Sequence, residues 1–144
     1  MRNLQKKEKL DLKLIKRVAS FVLREEMVDK NKEVSIVLVN NAKIRQLNER
    51  FHKVKKVTDV LAFSLGDEFI STKDLLGEVA ISVDTALKQA KDRRHSLEEE
   101  LVLLTIHGIL HLLDYNDEDE RERKIMQAEE RKILTSLGMN AGIV

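Results

Sequence analysis

The residues best suited to chemistry lie between positions 107 and 117. His107 and His111 sit in an otherwise apolar stretch, Leu101-Val-Leu-Leu-Thr-Ile-His-Gly-Ile-Leu-His-Leu-Leu113. Four residues apart on an α-helix, they differ by about 40° around the axis and about 6 Å along it. Both imidazoles can therefore converge on one ion at zinc–nitrogen distances of about 2.0–2.1 Å. A helix apolar on nearly every face is surrounded by protein, and imidazoles inside it are costly unless their ring nitrogens find partners. Histidines at this spacing also occur as hydrogen-bonded core residues, so the pair alone leaves both readings open.

A third candidate ligand, Asp117, lies six residues beyond His111. On an uninterrupted helix it would sit about 9 Å further along and about 120° away. The helix must therefore end and the chain turn back, and Asp114 and Asn116 suit that turn because Asp and Asn enter left-handed conformations more readily than most residues. Asp117 could instead be a charge at the start of the last helix, but Asp119 and Glu120 serve that purpose equally well. Three protein ligands with an open fourth position describe a catalytic zinc site. Such an ion lowers the pKa of bound water and polarises a phosphoryl or carbonyl oxygen. Gly108 costs about 1 kcal/mol relative to alanine inside a helix, which predicts a close neighbour at its backbone.

The elements that must position these groups follow from patterning. Leu10, Leu14, Val18 and Val22, with Ile15 and Ala19 beside them, predict an amphipathic N-terminal helix. Residues 33–39 (Glu-Val-Ser-Ile-Val-Leu-Val) predict a buried strand, and Asn40 caps a helix to about Arg50. Further strands are predicted over Val60 to Phe63 and Val79 to Val83, with a turn at Gly66-Asp67 and a short strand at Phe69 and Ile70. Ser82 or Asp84 starts a helix to about Arg93, and Ser96 with Glu99 forms a capping box for the histidine-bearing helix, which runs to about Leu113. A last helix over about 119–137 stops at Gly138. The fold class is α+β: one domain over residues 1–144, a small mixed sheet of about four strands packed with helices around a central, largely buried metal-bearing helix. The strand order does not follow from the sequence.

Composition bounds the rest. The 144 residues are 42% hydrophobic and 35% charged, as in a soluble globular chain. No apolar run approaches the roughly 20 residues of a membrane helix. The absence of cysteine excludes disulfides and thiolate ligands, so a metal site must use His, Asp or Glu. The basic N-terminus has no compact apolar core and carries Glu8 and Asp11, unlike a targeting peptide, so a cytoplasmic protein is expected. Net charge is +1, but Lys43, Arg45, Arg50, Lys53, Lys55 and Lys56 stand against Glu49 alone. That segment either steers a polyanion or is a solvated face. His95, beside Arg93 and Arg94, reads as an exposed basic residue.

The run His107-Gly-Ile-Leu-His111-Leu-Leu-Asp114-Tyr115-Asn116-Asp117 resembles the H-G-x-L-H-L-x-G-Y-D-H motif of the YbeY family. Thr58-Asp-Val-Leu-Ala-Phe-Ser64 resembles that family's T-[DN]-V-L-S-F-P. Leu76-Gly-Glu-Val-Ala-Ile-Ser82 is similar to its L-G-D-I-x-I-S strand, followed by Gln89-Ala90 in its helix. The likeness runs from about Glu33 to Leu134. It implies a metal-dependent endoribonuclease, preferring single strands, that acts in ribosomal RNA maturation and ribosome quality control. It implies a Zn2+ ion held by His107, His111 and Asp117, with ribosomal RNA and the small ribosomal subunit as partners and no membrane. Asp117 stands where the family has its third histidine, so another divalent metal also fits. Asp114 replaces the turn glycine and Ser64 a proline. His52 replaces an arginine associated with RNA contact, which leaves Arg50, Lys53, Lys55 and Lys56 as RNA-binding candidates and His52 as a candidate catalytic group. His52, Asp114 and Asp59 are the candidates for a general base, and Thr58 and Asp59 either shape the cleft wall or begin the strand.

Two other readings use the same residues. The histidine spacing resembles zinc peptidases of the metzincin group, but those carry Glu directly after the first histidine, where Gly108 stands here. A non-catalytic ribosome-assembly or RNA-binding factor with a structural metal would have little aromatic surface for stacking bases, with one Tyr, four Phe and no Trp.

Overall fold

The computed structural model describes residues 1–64 and 75–144. Its elements are β1 (Arg2–Asn3), α1 (Leu12–Glu25), β2 (Glu33–Val39), α2 (Asn41–His52), β3 (Val60–Phe63), β4 (Leu75–Ser82), α3 (Val83–Arg93), α4 (Leu97–Leu112) and α5 (Glu120–Ser136), followed by a 3-10 turn at Ala141–Ile143. The turn predicted at Gly66-Asp67 and the short strand at Phe69 and Ile70 lie outside the described residues.

Among the described residues the sheet has four strands in the order β1-β2-β4-β3. β1, β2 and β4 run parallel, and β3 is antiparallel to β4, so the sheet is mixed as expected. β1 was not expected. Two polar residues carry no hydrophobic alternation, and the strand is defined by its backbone pairing with Val37 and Leu38.

Alternation along the strands separates two apolar layers. Ile36 and Leu38 of β2 join Val79 and Ile81 of β4 on one face, with α1 and α4 packed over them. Val37, Val39 and Ala80 face the other way, with Ile44 of α2 and with Leu61 and Phe63 of β3. There Phe51 stacks on Phe63, ring centroids 4.2 Å apart. α2 and its basic residues therefore cover the face opposite α4.

Asn40, Ser82 (of the two starts expected for α3) and Ser96 cap their helices as expected, and Asp119, expected as the first residue of the last helix, is its cap. Asn40, Ser82 and Asp119 each accept a backbone N–H from the first turn of α2, α3 and α5. At α4, Ser96 and Glu99 form the reciprocal capping box. α5 ends as expected, with Gly138 at φ +75° just beyond it.

His95 corrects an expectation. Arg94 takes a left-handed conformation at the end of α3 and turns the chain so that His95 points inward. Its side chain is buried, and Nε2 meets the carboxylate of Glu100, which is itself fully buried in α4. The other Glu100 oxygen accepts from Arg93 at 3.1 Å. A buried carboxylate requires such partners, so His95 is a structural residue of the α3–α4 junction rather than a solvated charge.

Candidate metal centre

α4 runs through the centre of the fold, in contact with α1, α3, α5, β3 and β4. Its near-continuous apolar surface makes that position favourable, and Leu101 through Ile106 and Gly108 through Leu110 are buried. Gly108 sets its distance from the sheet. A Cβ there would lie 2.5 Å from Val79 Cγ1 and 3.2 Å from Val60 Cγ2, so the close neighbour expected at this glycine is the sheet itself. His107, one residue before it, opens into a cavity also lined by Asp59, Arg93, Asp117, Arg123 and Glu130.

The helix then ends in a Schellman turn. Tyr115 N–H donates to the Leu110 carbonyl and Asp114 N–H to that of His111, while Asp114 takes φ +72°. This is the left-handed position that glycine usually fills. The reversal brings Asp117 back over the helix, as the spacing requires if it is to reach the histidines. Asp117 Oδ2 lies 3.5 Å from His107 Nε2 and 3.6 Å from His111 Nε2, and the two Nε2 atoms are 3.1 Å apart.

The hydrogen-bond partners of the rings decide what these atoms are. His111 Nδ1 faces the Tyr115 carbonyl at 3.1 Å, and a carbonyl only accepts, so Nδ1 carries the hydrogen. His107 Nδ1 lies 3.0 Å from Glu130 Oε1. In the neutral rings both Nε2 atoms are then lone pairs, pointing at one another and at a carboxylate oxygen. Three electron-rich atoms at such separations repel unless a proton or a metal cation lies among them. Tetrahedral bonds of about 2.0–2.1 Å place donor atoms about 3.3–3.4 Å apart, close to the observed triangle, so the residues present fit a zinc-like ion. Among the described residues His107, His111 and Asp117 form the group of donors able to hold a metal.

The local field agrees. Burial by itself pushes the His107 ring away from its charged form. The hydrogen bond and charge of Glu130, with Asp117 and Asp59 beyond, outweigh burial and hold the imidazole above the usual histidine range. Tyr115, whose carbonyl orients His111, has its hydroxyl against Glu26 at the end of α1. Burial and that carboxylate push the phenol up to about 12.

The chain matches the family described as Endoribonuclease YbeY over residues 1–138. This chain belongs to the endoribonuclease YbeY family. Proteins named Endoribonuclease YbeY include one from Carboxydothermus hydrogenoformans, 41% identical over 140 residues that cover 95% of each chain. Another, from Desulforamulus reducens, is 39% identical over 134 residues, 90% of this chain and 88% of the relative. The solution structure of TM1509 from Thermotoga maritima has the same fold, with a TM-score of 0.58 over 94% of this chain and 89% of that one, at 23% identity.

The other residues singled out for this YbeY chain are more scattered. Of the three candidate bases, Asp59 lines the cavity. Its carboxylate accepts from Val60 N–H at 2.7 Å and from Gln89 Nε2 at 3.3 Å. Asp114 is occupied in the turn. His52 is exposed at the end of α2, on the opposite side of the sheet from α4. Arg50 lies over the Phe51 ring and Lys55 pairs with Glu49 at 3.7 Å. Lys53 takes φ +57° at the helix end, and Lys56 leads through Val57 and Thr58 to Asp59. Sequence reasoning passed over Glu130, Arg93 and Arg123. Glu130 was hidden in a charged run, although it falls in register with Met126, Ile133 and Leu134 on the buried face of α5.

Proposed function

We infer that this chain is a metal-dependent endoribonuclease, with residues 1–144 acting as one domain and His107, His111 and Asp117 holding the ion. The observation that carries this reading is the convergence of two imidazole nitrogens and a carboxylate oxygen, 3.1 to 3.6 Å apart, at a cavity that His107 and Asp117 line. Zn2+ is the ion we assign, and the Asp117 oxygen also suits other divalent metals. When bound, the ion supplies Lewis acidity at a phosphoryl oxygen and a lowered pKa for water.

The chain's own residues supply the remainder. Asp59, fixed by Val60 N–H and Gln89, is positioned on the cavity wall to accept the proton of an attacking hydroxyl. Arg93 from α3 and Arg123 from α5 offer guanidinium groups to phosphates of the backbone, a geometry that suits arginine better than lysine. Arg50, Lys53, Lys55, Lys56 and His52 are the further RNA contacts we propose, on the α2 side of the sheet. Lys56 alone is close to the cavity in the chain, three residues before Asp59 and at most about 10 Å from it. Single-stranded ribosomal RNA, presented on the small ribosomal subunit, is the substrate we propose. No helix among the described residues is long and apolar enough to cross a membrane, and we place the protein in the cytoplasm.

A peptidase reading fails at one atom. The glutamate that metzincins use would have to replace Gly108, where a Cβ already meets Val79 at 2.5 Å. Three donors with the fourth position open favour a catalytic over a structural ion, and so an enzyme over a passive assembly factor.

The test is cleavage of single-stranded and duplex RNA by the purified protein, with and without chelator. Cleavage of the single strand that chelator abolishes and added Zn2+ restores supports the reading. Cleavage indifferent to chelator, or none with the metal-loaded protein, contradicts it.

A further inference from the structure

Glu130 is an anomaly on α5. The buried face of that helix is Met126, Ile133 and Leu134, and in their midst stands a carboxylate only 4% exposed. An ionised carboxylate in apolar surroundings is costly unless paired and hydrogen-bonded. Among the described residues its one protein partner is His107, through Oε1 and Nδ1 at 3.0 Å. Neighbouring acids on the same helix show the contrast: half-buried Glu129 pairs with Lys132, and exposed Glu120 pairs with Lys124. Helix stability therefore gives no reason for an acid at 130, and replacement by an apolar residue would extend the core.

We propose that Glu130 is a positioning residue for the metal centre. It holds His107 as the Nδ1–H tautomer, with Nε2 directed to the ion, and it makes that ring a stronger donor. The proposal rests on the metal site proposed above and concerns what tunes it. The two histidines are held unequally. His111 is oriented by a main-chain carbonyl, a neutral acceptor fixed by the turn after α4. His107 is oriented by a carboxylate brought from a separate helix, which adds charge to orientation. A carboxylate–histidine–metal arrangement fixes ring orientation and raises ligand basicity, and its loss lowers metal affinity about 10- to 100-fold. The acid also ties α5 to α4 at the site, so the position of α5 and the strength of the metal site are linked through one hydrogen bond.

The test is the zinc affinity of the full chain, measured by competition with a chromophoric chelator, for wild type, Glu130→Gln and Glu129→Gln. The amide of Glu130→Gln keeps the volume and one acceptor but not the charge. We expect zinc binding weaker by about 10- to 100-fold in Glu130→Gln, with thermal unfolding of the metal-free protein no lower than wild type. Glu129→Gln removes an equal charge one residue away and should leave affinity essentially unchanged. Equal affinity in wild type and Glu130→Gln overturns the proposal while leaving the metal site intact. A wild type that binds no zinc overturns the site itself. A second measurement needs no variant: 15N spectra of zinc-loaded wild type should show His107 protonated at Nδ1 and metal-bound at Nε2. The opposite tautomer overturns the proposal even if Glu130→Gln fails to fold.

Discussion

Gly108 of α4 meets Val79 of β4 so closely that a methyl group on the glycine would lie 2.5 Å from Val79 Cγ1. This contact seats the histidine-bearing helix on the sheet. Gly108→Ala gains up to about 1 kcal/mol of helix propensity but overpacks the interface, which costs about 1–3 kcal/mol. Chemical denaturation should show net destabilisation. Trimming the partner as well, in Gly108→Ala with Val79→Ala, should leave a smaller loss than the two single changes sum to, because the methyl group then has space.

Asp114 holds the left-handed position of the turn that returns Asp117 to the histidines, at φ +72°. Glycine adopts this conformation without the Cβ penalty. Asp114→Gly relieves a left-handed penalty of about 1–2 kcal/mol and adds a glycine entropy cost of about 0.5–1 kcal/mol. Unfolding stability is therefore expected to rise by up to about 1 kcal/mol, read from denaturant midpoints, with metal affinity retained. A large loss of stability would mean that the Asp114 side chain contributes more than its backbone conformation.

Glu26, at the end of α1, is held above the ordinary carboxylate range. Burial is the main cause, and the Tyr115 hydroxyl and Lys132 offset it only in part. Its Oε1 has no hydrogen-bond partner among the described residues. A carboxyl whose folded pKa is raised stabilises the fold in its protonated state and loses that contribution as pH rises through the folded value. Above that value the ionised form therefore opposes folding. Glu26→Gln should melt higher than wild type at pH 7, and the gap should close as pH falls below the ordinary glutamate value of about 4.3. A pH-independent difference between the two would point to packing as its source.

Arg123 and Arg93 line the cavity beside the donor triad. If each binds one phosphate, Arg123→Gln should weaken single-stranded RNA binding and lower the slope of log affinity against log salt by about 0.7. Arg93→Gln should give a similar change, accompanied by lower stability, because the buried Glu100 loses one of its two partners. An unchanged salt slope in both variants would remove these arginines from the RNA path. Fluorescence anisotropy across a salt series reads all of these outcomes.

Much of the site was legible because its signals are local. The apolar sequence around His107 and His111 demanded burial, their spacing demanded convergence, and Asp114 and Asn116 offered the turn that Asp117 needs. Gly108 announced a close neighbour but not which one, since Val79 and Val60 approach from distant parts of the chain. Glu130 escaped because Glu129, Arg131 and Lys132 make it look like one charge in a solvated run, and only its register with Met126 and Ile133 marks the buried face. His95 escaped for a similar reason: its neighbours are arginines, and its direction depends on the left-handed turn at Arg94. β1 is a backbone event between Arg2–Asn3 and β2, with no side-chain pattern to betray it. Strand order and the approach of Asp59, Arg93 and Arg123 to one cavity are tertiary facts that no local window contains.

The central claim is that His107, His111 and Asp117 hold one divalent ion. It is tested most directly by metal content after loading with Zn2+ and exhaustive dialysis, for wild type, His111→Ala and Asp117→His. The account predicts about one ion per chain in wild type and in Asp117→His, where imidazole replaces carboxylate as the third donor, and essentially none in His111→Ala. A wild type that retains no ion, or a His111→Ala protein that retains as much as wild type, would contradict it.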